Sequence, residues 1–177
     1  MGRRFFIVRH VYLTGPEQFL IRAIGGVGIN TTNPNGTSLR VGTDTSNGNG
    51  AFVSNGGAWT NGSSRSFKEA FVSVDVGAVL DKMLTLPMQT WFYRNDHQEG
   101  RHLGPMAEDF ANAFGLGGNE KYIATVDEEG VALAAIQGLN REVEAENSLL
   151  KQENVDLRNK LDDVLGRLSK LEAKQAE

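Results

Sequence analysis

Three groups of side chains in this chain are of types that could do chemistry. Ser63, Ser64 and Ser66 stand within five positions of Lys68. A serine hydroxyl is a weak nucleophile until a base takes its proton, and lysine can be that base once burial or a nearby cation favours its neutral form. By residue type alone, the plainer reading is loop serines beside a solvated cation. Asp96, His97, Glu99 and His102 bracket Gly100 and lack helical ligand spacing such as HExxH, so they read as solvated loop residues and no metal is expected. Asp127, Glu128 and Glu129 do not form an EF-hand pattern. The chain has no cysteine, which removes disulfides, zinc-thiolate sites, iron–sulfur clusters and cysteine nucleophiles together. Gly25-Gly26-Val27-Gly28 departs from GxGxxG and no long helix follows it, so no dinucleotide cofactor is expected. Covalent chemistry, if any, falls to a serine.

The elements that must position these residues come from an uneven composition. The chain has 177 residues, 21 Gly, 4 Pro and a net charge of −4. That balance argues against a nucleic-acid partner, and no apolar run is long enough to cross a membrane. Arg3-Arg4-Phe5-Phe6 echoes a twin-arginine signal, but the apolar run stops at Val8 and no secretory signal is expected. Residues 25–62 hold 10 Gly and 7 Asn, whereas residues 131–177 hold 2 Gly, no Pro and 16 charged residues. Three parts are expected: an N-terminal segment with a Gly/Asn-rich β-stalk over 1–62, a small module over 63–130, and a long helix over 131–177.

In the first part, Asn-Gly pairs at Asn35, Asn47, Asn49, Asn55 and Asn61 predict turns. The strands between them (38–41, 51–54, 58–60) are too short for an independent core, and make sense where identical chains share one. In the module, the pattern predicts strand or turn at 63–73, helix at 75–84 ended by Pro87, strand at 88–93 and a turn near Gly100. A short segment at 102–106, a helix at 107–114 capped by Gly115 and a strand at 123–126 follow. Val76, Val79, Leu80, Met83 and Leu84 would form one core-facing helix face.

The last part is expected to start with Asp127 as N-cap, and from Leu133 it reads as six heptads. All d positions are apolar: Ile136, Val143, Leu150, Leu157, Val164 and Leu171. The a positions are Leu133, Leu161 and Leu168, with Asn140, Asn147 and Asn154 between them. Buried Asn at a costs stability and sets register and strand number. Gly138 and Gly166 fall at f, read as outward. In a parallel coil Glu146 would meet Lys151, Glu153 would meet Arg158 and Arg167 would meet Glu172, so a parallel homo-oligomer is expected. Asn at a is best known for two strands. The shared stalk argues for three, and a homotrimer is expected over a dimer.

The run Ala58-Trp59-Thr60-Asn61-Gly62-Ser63-Ser64-Arg65-Ser66-Phe67-Lys68-Glu69 resembles the start of the chaperone-of-endosialidase family, the autoprocessing intramolecular chaperones of phage tailspikes and tail fibres. Leu84-Thr85-Leu86-Pro87 with Trp91-Phe92-Tyr93, the run Arg101 to Asp109, and Tyr122 to Leu139 leading into heptads extend the resemblance over about 58–175. It implies Ser63 as nucleophile and first residue after the cut, Lys68 as its base, and Gly62–Ser63 as the scissile bond. It also implicates His102 in processing, as carbonyl polariser, proton relay or fold stabiliser. The family usually has Asp where Ser64 stands and Gln where Glu108 stands.

The expected protein is therefore α+β: a trimeric β-stalk, a small chaperone module and a parallel coiled coil. It would be the C-terminal chaperone of a phage or prophage tail fibre or tailspike, found in the virion and assembled in the host cytoplasm. Its partners would be two further copies of itself and the upstream fibre. It would drive trimer assembly and cut itself once, as a serine peptidase acting in cis. The alternative is an uncleaved trimerisation tip or adhesin end.

Overall fold

The computed structural model of the chain describes residues 15–43 and 48–175; Arg3, Arg4 and Asn47 lie outside the described residues. The fold is α+β, with two small sheets and one long helix. It forms two compact units that divide between Val72 and Ser73.

The first unit is a four-stranded sheet in sequence order: β1 (Val27–Ile29), β2 (Leu39–Val41), β3 (Ala51–Val53) and β4 (Trp59–Thr60). β1 and β2 are parallel, and the other pairs are antiparallel. The Asn-Gly pairs do not all behave alike. Asn35-Gly36 and Asn49-Gly50 take positive φ at both residues, as the turn chemistry requires. Asn55-Gly56 lies in the β3–β4 connection, where Gly57 takes the positive φ. Asn61-Gly62 makes no such turn and follows directly on β4. Among the described residues, Ala51 is the one buried apolar side chain of this unit, while Phe19, Ile21 and Ile24 are exposed. Strands of two or three residues bury too little surface to hold a core alone.

The second unit contains α1 (Val76–Thr85), β5 (Gln89–Trp91), β6 (His102–Gly104), α2 (Ala107–Phe114) and α3 (Thr125–Gln175). Asp75 caps α1, its Oδ1 accepting from the amides of Gly77 and Ala78. Gly115 ends α2 in the left-handed conformation, its N–H donating to the Ala111 carbonyl at 2.8 Å. Leu86, Phe110 and Val131 form the core, with Val79, Met83, Ala113, Phe114 and Ile123 packed around them. Leu84 does not join the core face expected of it and is 75% exposed.

Two sequence expectations are corrected at the start of α3. Residues 123–126 do not form a strand, because Thr125 and Val126 already belong to the helix. Asp127 is not the N-cap: the Ala124 carbonyl accepts from the amides of Asp127 and Glu128, which places both acids inside the first turn. They still lie at the positive end of the helix dipole.

Gly138 does not face outward as its f position suggests. It is buried, and a Cβ there would overlap the Val76 carbonyl oxygen and touch the Leu80 Cβ at 3.0 Å. Val131, Ala135 and Gly138 thus form a small-residue strip against which α1 lies. Gly166, at the same heptad position, has open space around it. From residue 139 to residue 175 every residue of α3 is exposed. The apolar a and d residues are between 44% and 64% exposed, a continuous stripe with no partner in the single chain. Among the described residues no helix is long and apolar enough to cross a membrane.

Candidate functional site

Chain geometry brings Ser63 and Lys68 together. Residues Arg65–Phe67 make one turn of 3-10 helix, which folds the chain back so that the residues flanking it meet. Lys68 Nζ donates to Ser63 Oγ at 2.8 Å. The turn is held by Phe67 N–H donating to the Ser64 carbonyl at 3.0 Å and by Lys68 N–H donating to the Arg65 carbonyl at 3.3 Å. Lys68 leaves the turn in extended conformation, which aims its long side chain back across it.

Ser64 is the N-cap of this turn. Its Oγ accepts from the Ser66 amide at 3.3 Å and lies 2.9 Å from the Ser66 hydroxyl. This role was missed from the sequence, where Ser64 was only a serine in place of the family's Asp. Both residue types are good N-caps, so the replacement keeps the local device. The signal available was Ser64's place ahead of a turn.

Gly62, on the other side of the candidate bond, has no room for a side chain. A Cβ there would overlap the Asn49 carbonyl and sit 3.2 Å from the Phe67 ring. Ser63 and Lys68 are both exposed, and the pair is open to water in the single chain. Arg65 lies over the Phe71 ring at 5.0 Å and adds a second cation to the segment.

His102 belongs to the second unit. It faces Trp91 in the β5–β6 pair and stacks on it at 4.7 Å, with Tyr93 edge-on at 5.2 Å. Its Nε2 lies 3.8 Å from Glu99 Oε2. Nε2 of His102 and Nε1 of Trp91 are buried without a hydrogen-bond partner. Asp96 and His97 occupy the same connection, where His97 packs on Phe92 at 5.2 Å. Glu108 is exposed in the first turn of α2, a helix whose N-cap Met106 offers no side-chain acceptor. A carboxylate there suits the unpaired amides of a helix start.

Along the chain, a serine–lysine pair in the first unit precedes a second unit of α+β structure that runs into a 51-residue helix. Residues 63–116 match the family described as chaperone of endosialidase, and the chain carries a domain of that family there. It is an intramolecular chaperone domain of the kind typical of phage tail fibres. Comparison with curated proteins and with solved structures gave no match.

Proposed function

We propose that this chain assembles a phage or prophage tail fibre or tailspike as a parallel homotrimer and then cuts itself between Gly62 and Ser63. The observation that carries the reading is the 2.8 Å hydrogen bond from Lys68 to Ser63, at the residue where the family match begins. The apolar stripe of α3 brings three copies into register, with Asn140, Asn147 and Asn154 at a positions selecting it. Registration lowers the loop-closure cost of joining short, non-local strands in the Gly/Asn-rich segment.

Assembly also completes the site. A lysine becomes an effective base when water is excluded from it, and trimer packing supplies that exclusion. Lys68 takes the proton from Ser63 Oγ, which attacks the carbonyl carbon of Gly62. The Gly62–Ser63 C–N bond breaks as Lys68 returns the proton to the departing nitrogen, leaving an ester between the Gly62 acyl group and Ser63 Oγ. Water hydrolyses the ester to a Gly62 carboxylate and a Ser63 with free amine and hydroxyl. Separation of the chaperone then leaves the fibre kinetically trapped. His102 orders β5 and β6 through its aromatic stack.

Intact mass of the purified chain tests the reading. Wild type yields fragments of 62 and 115 residues, and Ser63→Ala and Lys68→Ala stay whole. A fully trimeric, uncut wild type overturns it. The water exposure of the pair in the single chain favours a second reading, an uncleaved trimerisation tip, and the same measurement separates the two.

A further inference from the structure

The β3–β4 pairing points directly at the candidate scissile bond. Phe52 faces Thr60 and Val53 faces Trp59. Continued in that register, Gly50 would face Gly62 and Asn49 would face Ser63. The ladder does not continue. Residues Gly48–Gly50 turn away, with Asn49 at φ 47 and Gly50 at φ 69, both left-handed and non-helical. The last pair is Phe52–Thr60, so the Gly62–Ser63 peptide emerges from the sheet without a strand partner.

The turn nevertheless stays in contact with that bond. The Asn49 carbonyl lies so close to Gly62 that any Cβ would overlap it, and the Phe67 ring lies 3.2 Å from the same position. Asn49, Ser66, Phe67, Lys68 and Glu69 also line one polar cleft of about 190 Å³. Asn49 and the candidate base therefore face a common space, and the contact is independent of the Ser63–Lys68 hydrogen bond.

We infer that the Asn49-Gly50 turn is a positioning element for self-cleavage, a role that rests on the cleavage reading above. It ends the ladder before the scissile bond, which leaves that peptide free of strand hydrogen bonds. It then braces Gly62 through the Asn49 carbonyl, which fixes the orientation of the Gly62 carbonyl toward Ser63 Oγ. The brace also checks register. A slip of two residues, which keeps side chains on the same face, would bring Thr60 or Ser64 under the Asn49 carbonyl, and either Cβ would collide there. Cleavage is thereby conditional on a correctly paired β3–β4 hairpin, and the upstream segment licenses its own release.

The test compares Asn49→Val, Asn49→Ala and Asn49→Gly in the full chain, with cleavage half-time read by intact mass and assembly by sedimentation. A β-branched residue resists the left-handed conformation and glycine adopts it freely. Asn49→Val is expected to cut roughly 100-fold more slowly within the assembled fraction, the scale expected of a 1 Å misplacement. Asn49→Gly restores cutting. If the valine chain does not assemble, Asn49→Ala strains the turn less and is expected to cut at an intermediate rate. A merely structural role would lower the assembled fraction while leaving its half-time unchanged. Assembled Asn49→Val or Asn49→Ala cutting at the wild-type rate overturns the positioning role alone. An assembled wild type as uncut as Ser63→Ala overturns the cleavage reading and this role together.

Discussion

Ser64 and His102 show how the same residue-scale question has different answers in the two units. Ser64 caps a single 3-10 turn, and that turn is what brings Lys68 to Ser63. Ser64→Ala removes the cap, worth about 1 kcal/mol at a typical helix start. The expected result is slower cleavage by intact mass, with Ser64→Asp restoring it. Loss of cutting in Ser64→Asp would mean that the hydroxyl itself matters. His102 instead sits in an aromatic stack with Trp91 and Tyr93. His102→Ala is expected to lower the melting temperature of the chain, and His102→Phe to recover most of the loss, because the stack rather than the ring nitrogens holds β5 to β6. Equal melting of the alanine and phenylalanine variants would contradict that. The serine–lysine spacing was legible because it lies within one local turn. The cap and the stack were not, since each depends on which neighbour the backbone turns toward.

At the scale of elements, α3 has two faces with different tasks. Its first turns press Val131, Ala135 and Gly138 on α1, and its a and d stripe is left open. The heptad pattern identified the open stripe but placed both glycines alike on the outer side. Packing separates them, which gives a paired prediction. Gly138→Ala drives a Cβ into the α1 backbone and is expected to destabilise by about 1–3 kcal/mol, as overpacking does. Gly166→Ala meets only open space and is expected to stabilise the helix by about 0.5–1 kcal/mol. Thermal unfolding of each single variant checks both signs. A stabilising Gly138→Ala would mean that α1 does not lie where the structure puts it.

At the scale of the molecule, a single chain leaves too much unsatisfied. The first unit buries one apolar side chain among its described residues, and α3 exposes its whole stripe beyond residue 138. In the proposed homotrimer, further copies of the chain would meet both deficits. In that proposal the three Asn at a would be the specificity device: Asn140 donates to Glu144 and Asn154 to the Leu150 carbonyl within one helix, bonds that can be exchanged for contacts across a seam. Replacing Asn140, Asn147 and Asn154 together by Ile is expected to raise the melting temperature and to lose the single assembly state, giving mixed species in sedimentation. A unique, unchanged oligomer would show that the register is set elsewhere.

The sequence alone determined whatever depends on short-range pattern: the α1 and α2 spans, the long helix with its heptads, the family motif and the spacing of Ser63 to Lys68. These are legible because helix periodicity and a local turn are written in consecutive residues. Only tertiary structure decided that Asp127 lies inside a helix already begun, that Gly138 is a packing surface and that Leu84 is left out of the core. It alone also placed the Asn49 carbonyl against Gly62. The Gly138 and Gly62 contacts join residues distant along the chain, where backbone register and the absence of a single Cβ decide the outcome, and no local pattern records either.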